Sequence, residues 1–185
     1  MSVQKVITVP SPILRQKAKS IVLDNGVLDK KTKRLINDLR TTLRIQTNPR
    51  GVGLSAPQIG FSKRVFVLVV EKKLTTIINP EIISVSKESL VSVLPKEKQF
   101  LEGCLSVPGY WGFVDRPYRI KVCFTDQTGE KIEKNFEGKE SSYFLHEYDH
   151  LNGILFIDRI LEQKGKIYQI EKDKEGKEEL VEIKI

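Results

Sequence analysis

The chain has 185 residues and a formal net charge of +7, with 39% apolar and 30% charged residues. This balance fits a globular chain with one hydrophobic core and excludes a disordered one. No apolar run approaches the roughly 18 residues of a membrane span, and the first ten residues carry no signal-peptide pattern. Two cysteines exclude a disulfide scaffold and point to a reducing, cytoplasmic setting.

The first fifty residues hold eleven Lys/Arg against three Asp/Glu, whereas the remaining 135 carry twenty against twenty-one. Within that basic stretch, residues 29–46 read as an amphipathic helix. Asp29 is its N-cap, Leu35, Ile36, Leu39 and Leu43 share one face, and Lys33, Arg40 and Arg44 look outward. Pro49-Arg50-Gly51 stops it. The charge has two readings, a solvated helix face or a polyanion-docking surface. No zinc finger, RNP motif or aromatic-interleaved basic run accompanies it, so no specific nucleic-acid binding is expected.

Val65–Val70 reads as a buried strand, followed by strands over Thr75–Ile78 and Glu81–Val85 around Asn79-Pro80. Arg119–Phe124 alternates and leads through Asp126–Gly129 into Lys131–Glu137, an antiparallel hairpin. A second helix begins near Lys139–Ser142 and ends near Asn152-Gly153, where Gly suits a left-handed cap. Lys166–Glu171 and Leu180–Ile185 flank the charged segment Lys172–Glu179 as a C-terminal β-hairpin. The pattern predicts an α+β single domain over residues 1–185, with antiparallel or mixed strands around one central helix.

Both histidines of the chain lie on that helix, in His146-Glu-Tyr-Asp-His150. Residues at i and i+4 project from one helix face, so both imidazoles can reach one metal ion, with Glu147 beside the first. A catalytic metal takes a third protein ligand, which must be Cys, Asp or Glu. Glu102-Gly-Cys-Leu-Ser106 offers Cys104 between small or flexible neighbours. Cys123 sits inside a strand, out of step with Ile120, Val122 and Phe124, and reads as an ordinary buried thiol. Were both cysteines ligands, the site would be closed and structural. Gly51-Val-Gly-Leu-Ser-Ala-Pro-Gln-Ile-Gly60 is not a phosphate loop. Its glycines can let a peptide approach the backbone, and Gln58 can donate from its amide.

Taken together, the three segments resemble those of peptide deformylases, which carry GxGxAAxQ, EGCLS and HExDH in that order. The resemblance extends to Val9-Pro10 with Leu14-Arg15, to Ile78-Asn79-Pro80 and to the stretch from Gly109 to Pro117. It implies a metal-dependent hydrolase that removes the formyl group from N-terminal methionine of nascent polypeptides and releases formate. Carried over by position, it makes Cys104, His146 and His150 the metal ligands and Glu147 the general acid/base. Gln58 and the backbone N–H of Leu105 would stabilise the oxyanion, and Gly53 would help hold an extended peptide. Asp149 and Arg116 would support the ligands from behind, or pair with each other.

The resemblance also implies one divalent ion per chain, with Fe2+ as the physiological metal and Zn2+, Ni2+ or Co2+ as substitutes; ligand chemistry alone suggests zinc. The implied partners are formyl-methionyl nascent peptides, with ribosome association, and the chain is expected to be a cytoplasmic monomer. The chain departs from the family pattern at Ser55, a small-for-small exchange expected to do little, and at Leu145 before the first histidine. The helix start Gly138–Tyr143 is more polar than is common there. Val52, Phe100 and Tyr143 are the expected apolar wall of the methionine pocket. A metal-dependent peptidase or amidase with another acyl preference, and a non-catalytic metal-binding or nascent-chain-binding domain, are the competing readings.

Overall fold

The computed structural model describes residues 2–47, 50–172 and 178–183. In chain order its elements are α1 (Lys30–Arg44), β1 (Gly53–Ser55), β2 (Val65–Val70), β3 (Lys73–Val85), α2 (Leu90–Val93), β4 (Glu102–Cys104), β5 (Val107–Gly112), β6 (Arg119–Thr125), β7 (Lys131–Glu137), α3 (Lys139–Leu151), α4 (Phe156–Glu162), β8 (Ile167–Lys172) and β9 (Glu178–Ile183). The strands form two antiparallel sheets, ordered β1-β2-β3-β6-β7 and β4-β5-β8-β9. This is the α+β arrangement that the strand and helix pattern predicts. Among the described residues, no helix is long and apolar enough to cross a membrane.

The five-stranded sheet is covered on both faces, which explains the unbroken apolar run in β2. Phe66, Leu68 and Val70 join Ile120, Val122, Phe124, Phe136 and Phe144 in a core beneath α3. Val65 and Val67 point the other way, into a second core with Leu35, Ile36, Leu39 and Leu43 of α1. Side chains alternate across a strand, so a strand between two helical layers needs apolar residues at every position. A third cluster packs Leu14, Val107, Val114, Phe156, Ile160 and Ile167 between α4 and the four-stranded sheet.

Asp29 caps α1 as expected, its side chain accepting from the Thr32 N–H at 2.6 Å. Arg40 does not look outward. Its guanidinium folds back, donating to the Leu74 carbonyl at 3.1 Å and to Thr76 Oγ1 at 3.3 Å, because β3 runs beside the helix with these acceptors open. Thr75–Ile78 and Glu81–Val85 belong to one strand, β3, with a register shift between Ile78 and Glu81. At that shift Asn79 has φ 48°, and its amide bonds both the N–H and the carbonyl of Ile21, at 2.8 and 2.7 Å. A side chain that mimics a backbone partner holds the irregularity without ending the strand.

The hairpin of β6 and β7, the helix α3 and the C-terminal hairpin of β8 and β9 all form where the sequence places them. Gly153 follows α3 with φ 74°, and a Cβ there would meet the Arg15 carbonyl at 2.5 Å, so only glycine serves. Pro49, expected to stop α1, and most of the charged Lys172–Glu179 segment lie outside the described residues.

Candidate active site

Three elements converge on one cleft. β4 presents Glu102 and Cys104, two residues apart and therefore on one face of the strand. Gly103 between them faces away; a Cβ there would lie 2.7 Å from the Trp111 ring. α3 presents His146 and His150 one turn apart, their ring centroids separated by 5.1 Å. β1 and the 3-10 turn after it (Ala56–Ile59) bring Gly53 and Gln58.

The N-terminal segment ties these pieces together. The Ile7 N–H donates to the Gln58 carbonyl at 2.8 Å, and the Val9 N–H to the Ser106 carbonyl at 2.9 Å. It thus clamps the two loops whose side chains meet in the cleft, a role no local pattern announces.

The Cys104 sulfur and one nitrogen from each histidine lie within 4.8 Å of one another. Cys104 Sγ is 3.2 Å from His150 Nε2. His146 Nδ1 is bonded to Glu102 Oε2 at 3.0 Å, which leaves Nε2 free to ligate. Burial pushes the Cys104 thiol up, but His150 and His146 outweigh it and hold the thiol well below its ordinary range. A low-pKa thiol with two imidazoles is a suitable donor set for one divalent metal ion, and three protein ligands leave a position for water or substrate. The residues fit such an ion. Cys123 lies elsewhere, in β6 opposite Glu81 and Glu133; it is half-buried rather than the buried thiol expected, because it faces away from Ile120, Val122 and Phe124, and it takes no part in this cluster.

Glu147 is buried and its Oε2 has no hydrogen-bond partner among the described residues. Burial pushes its carboxyl up to about 7, against the downward pull of His146 and His150. A Cβ at position 53 would lie 2.5 Å from Glu147 Oε1, so Gly53 gives this carboxyl its space.

Gln58 is oriented by Ser55, whose N–H and hydroxyl both donate to Oε1 at 2.9 Å. The amide nitrogen is thereby aimed at Ser106 Oγ, 3.2 Å away, and Cys104 Sγ, 3.5 Å away. The Ser55 hydroxyl is therefore engaged in orienting Gln58. The cleft is lined by Val52, Gly53, Gln58, Phe100, Leu105 and Tyr143 together with Cys104, His146 and Glu147.

Behind the ligands runs a buried network that only partly follows expectation. Arg116 Nη1 pairs with Asp149 Oδ2 at 2.9 Å, one of the two pairings anticipated. The Arg116 guanidinium also grips both oxygens of Glu102, which the sequence reading did not single out. Although burial opposes it, Arg116 and His146 keep Glu102 ionised well below the usual carboxylate range. Ser142 Oγ donates to Glu102 Oε1 at 2.8 Å, and Ser141 Oγ to the Pro117 carbonyl at 2.8 Å. The two serines at the start of α3 are thus engaged internally, whereas Lys139 stays exposed. Arg159 completes the network, reaching Asp149 Oδ1 at 2.7 Å. Because Arg116 neutralises two buried carboxylates, Arg116→Ala is expected to lose about 3–5 kcal/mol of stability in urea unfolding. A loss below about 1 kcal/mol would show that water already solvates them.

A family model for polypeptide deformylase matches residues 3–166. The chain belongs to the polypeptide deformylase family. Its members are metal-dependent hydrolases, and this chain is one of them. A peptide deformylase of Heliobacterium modesticaldum is 40% identical over 160 residues, covering 86% of this chain and 95% of that one. The crystal structure of peptide deformylase from Thermotoga maritima superposes with a TM-score of 0.73 at 36% identity, covering 86% of this chain and 98% of that one. The Met-Ala-Ser-bound crystal structure of class I type b peptide deformylase from Acinetobacter baumannii gives 0.74 at 32% identity, with 86% and 99% covered. The family match ends at residue 166, just before the C-terminal hairpin.

Proposed function

We propose that this chain removes the N-formyl group from the N-terminal methionine of nascent polypeptides, releasing formate and a free amine. One observation carries the reading: a Cys104–His146–His150 donor set lies beside the buried Glu147, whose carboxyl Oε2 has no partner among the described residues. The Met-Ala-Ser ligand of the Acinetobacter relative has the form of a product of this reaction.

In this reading Cys104, His146 and His150 hold one divalent ion, with Fe2+ as the physiological metal. Lewis acidity, the chemistry such an ion supplies when bound, eases deprotonation of water and polarises the formyl carbonyl. Glu147 takes the proton of the attacking water, for which a pKa near neutrality suits it. It then delivers that proton to the departing amine nitrogen. The Gln58 amide and the Leu105 N–H donate to the carbonyl oxygen as negative charge builds there; losing one such donor costs about a hundred- to a thousandfold in rate. The peptide lies extended against the free edge of β1, with Gly53 allowing close approach, and its first side chain enters the wall of Val52, Phe100 and Tyr143. Glu102, Arg116 and Asp149 position the histidine ligands from behind. On this reading the protein acts as a cytoplasmic monomer on chains emerging from the ribosome.

The test is formate release from a formyl-Met peptide against an acetyl-Met control, after anaerobic loading with Fe2+ and, in parallel, Zn2+, Ni2+ or Co2+. Turnover of the formyl peptide alone is expected. Failure of the fully metallated protein to release formate would sink the proposal, and equal cleavage of the acetyl peptide would make it a less selective amidase.

A further inference from the structure

The mouth of the cleft carries charges that the reaction itself does not use. Arg50 lines the cleft, is exposed, and makes no ion pair among the described residues. Lys139 Nζ stands 5.3 Å from the centroid of the Phe100 ring, and Phe100 in turn lies 6.1 Å from Tyr143, both rings lining the cleft. The carboxylates that line the cleft are Glu102 and Glu147, and both are buried at its floor, Glu102 already matched by Arg116 and His146. Among the described residues that line the cleft, Arg50 is therefore the one exposed charge, with Lys139 standing over the Phe100 ring beside it.

Position narrows what these cations can meet. Gly53 abuts Glu147, where the formyl group would react, and Arg50 lies three residues back along the same backbone. Three residues of extended chain span at most about 10 Å. A peptide laid against this segment, leading away from Glu147, reaches Arg50 within its first three residues. Side chains alternate in an extended peptide, so the third shares the face of the first. That face is the aromatic wall beneath Lys139.

We propose that Arg50 and Lys139 make this enzyme select formyl-methionyl peptides that carry an acidic residue at the third position. The inference rests on the deformylase reading above and adds to it a substrate class set by this chain's own rim residues. Each cation at an exposed pair is expected to contribute about a two- to fivefold preference.

The experiment compares kcat/KM of the metal-loaded full chain on formyl-Met-Ala-X-amide peptides, with X as Glu, Gln or Lys. The expected order is Glu above Gln above Lys, with about tenfold between the extremes at low ionic strength, shrinking in about 0.5 M salt. Moving the acid to the second position should abolish the preference. The Glu-to-Lys ratio should fall toward one in the Arg50→Gln, Lys139→Gln double variant and in Arg50→Glu, invert in the Arg50→Glu, Lys139→Glu double variant, and persist in Arg50→Lys. Equal values across the series, or a preference that survives the double variant, would overturn the proposal. If formate is never released, the same ranking is read as binding affinity by calorimetry. A Glu-preferring affinity then supports the cationic mouth while the deformylase reading fails, and equal affinities overturn both.

Discussion

Glu147→Gln is expected to lower kcat/KM for formate release by about a thousandfold while the protein still binds one metal ion per chain. Glutamine keeps the size of the side chain, which matters because Gly53 leaves little spare room beside Oε1. It also keeps a polar group where Glu147 is buried, so the helix and the two histidines on it should stay in place. What it removes is the ability to take and return a proton. The Glu147 carboxyl is suited to both steps because burial raises it to about 7, where neither protonation state is strongly disfavoured near neutral pH. The check is turnover and metal content measured on the same preparation. Activity within tenfold of the parent would remove Glu147 from proton transfer, and loss of metal would make it a structural group instead.

The second large effect is on metal affinity. Cys104→Ala is expected to weaken binding of the ion more than about a hundredfold, since removal of mere outer partners of ligands already costs about ten- to a hundredfold. Cys104 is the sole sulfur donor in the cluster, and its thiol is held well below its ordinary range by the histidines it faces. Two imidazoles alone make a weak site. Cys123→Ala supplies the control. Its side chain lies off the buried face of β6 formed by Ile120, Val122 and Phe124, and metal content should be unchanged. Metal analysis after dialysis against a mild chelator separates the two variants. Retention of metal by Cys104→Ala, or its loss from Cys123→Ala, would reverse the ligand assignment.

Particular residues show where sequence reasoning worked and where it stopped. His146 and His150 were legible because helical periodicity converts a spacing of four into proximity. The exclusion of Cys123 was legible from strand alternation in the same way. Periodicity places Arg40 outward because it ranks faces by hydrophobicity and says nothing about open carbonyls on a neighbouring strand. Glu102 was passed over although it stands two residues from Cys104. Its partners Arg116 and His146 are 14 and 44 residues away in the chain, so its role exists only after β4, α3 and the segment holding Arg116 meet. The helix α4 leaves no local signal for a related reason: seven residues carry too little periodicity, and its place is set by packing Phe156 and Ile160 into the third core cluster.

Elements whose signal is local are legible in the amino-acid order alone. These include the amphipathic α1, the doubly buried β2, the hairpin of β6 and β7, and a histidine pair presented on one face of α3. The ordered motifs determined the family. Tertiary structure alone decided how the pieces act on one another. It set the convergence of Cys104 with the histidines, the burial that raises Glu147, the Ser55 grip on Gln58, and the network from Glu102 through Arg116 and Asp149 to Arg159. The physical reason is the range of the forces involved. Periodicity and turn chemistry act over a few residues, whereas desolvation and buried charge pairing depend on groups brought together from distant parts of the chain.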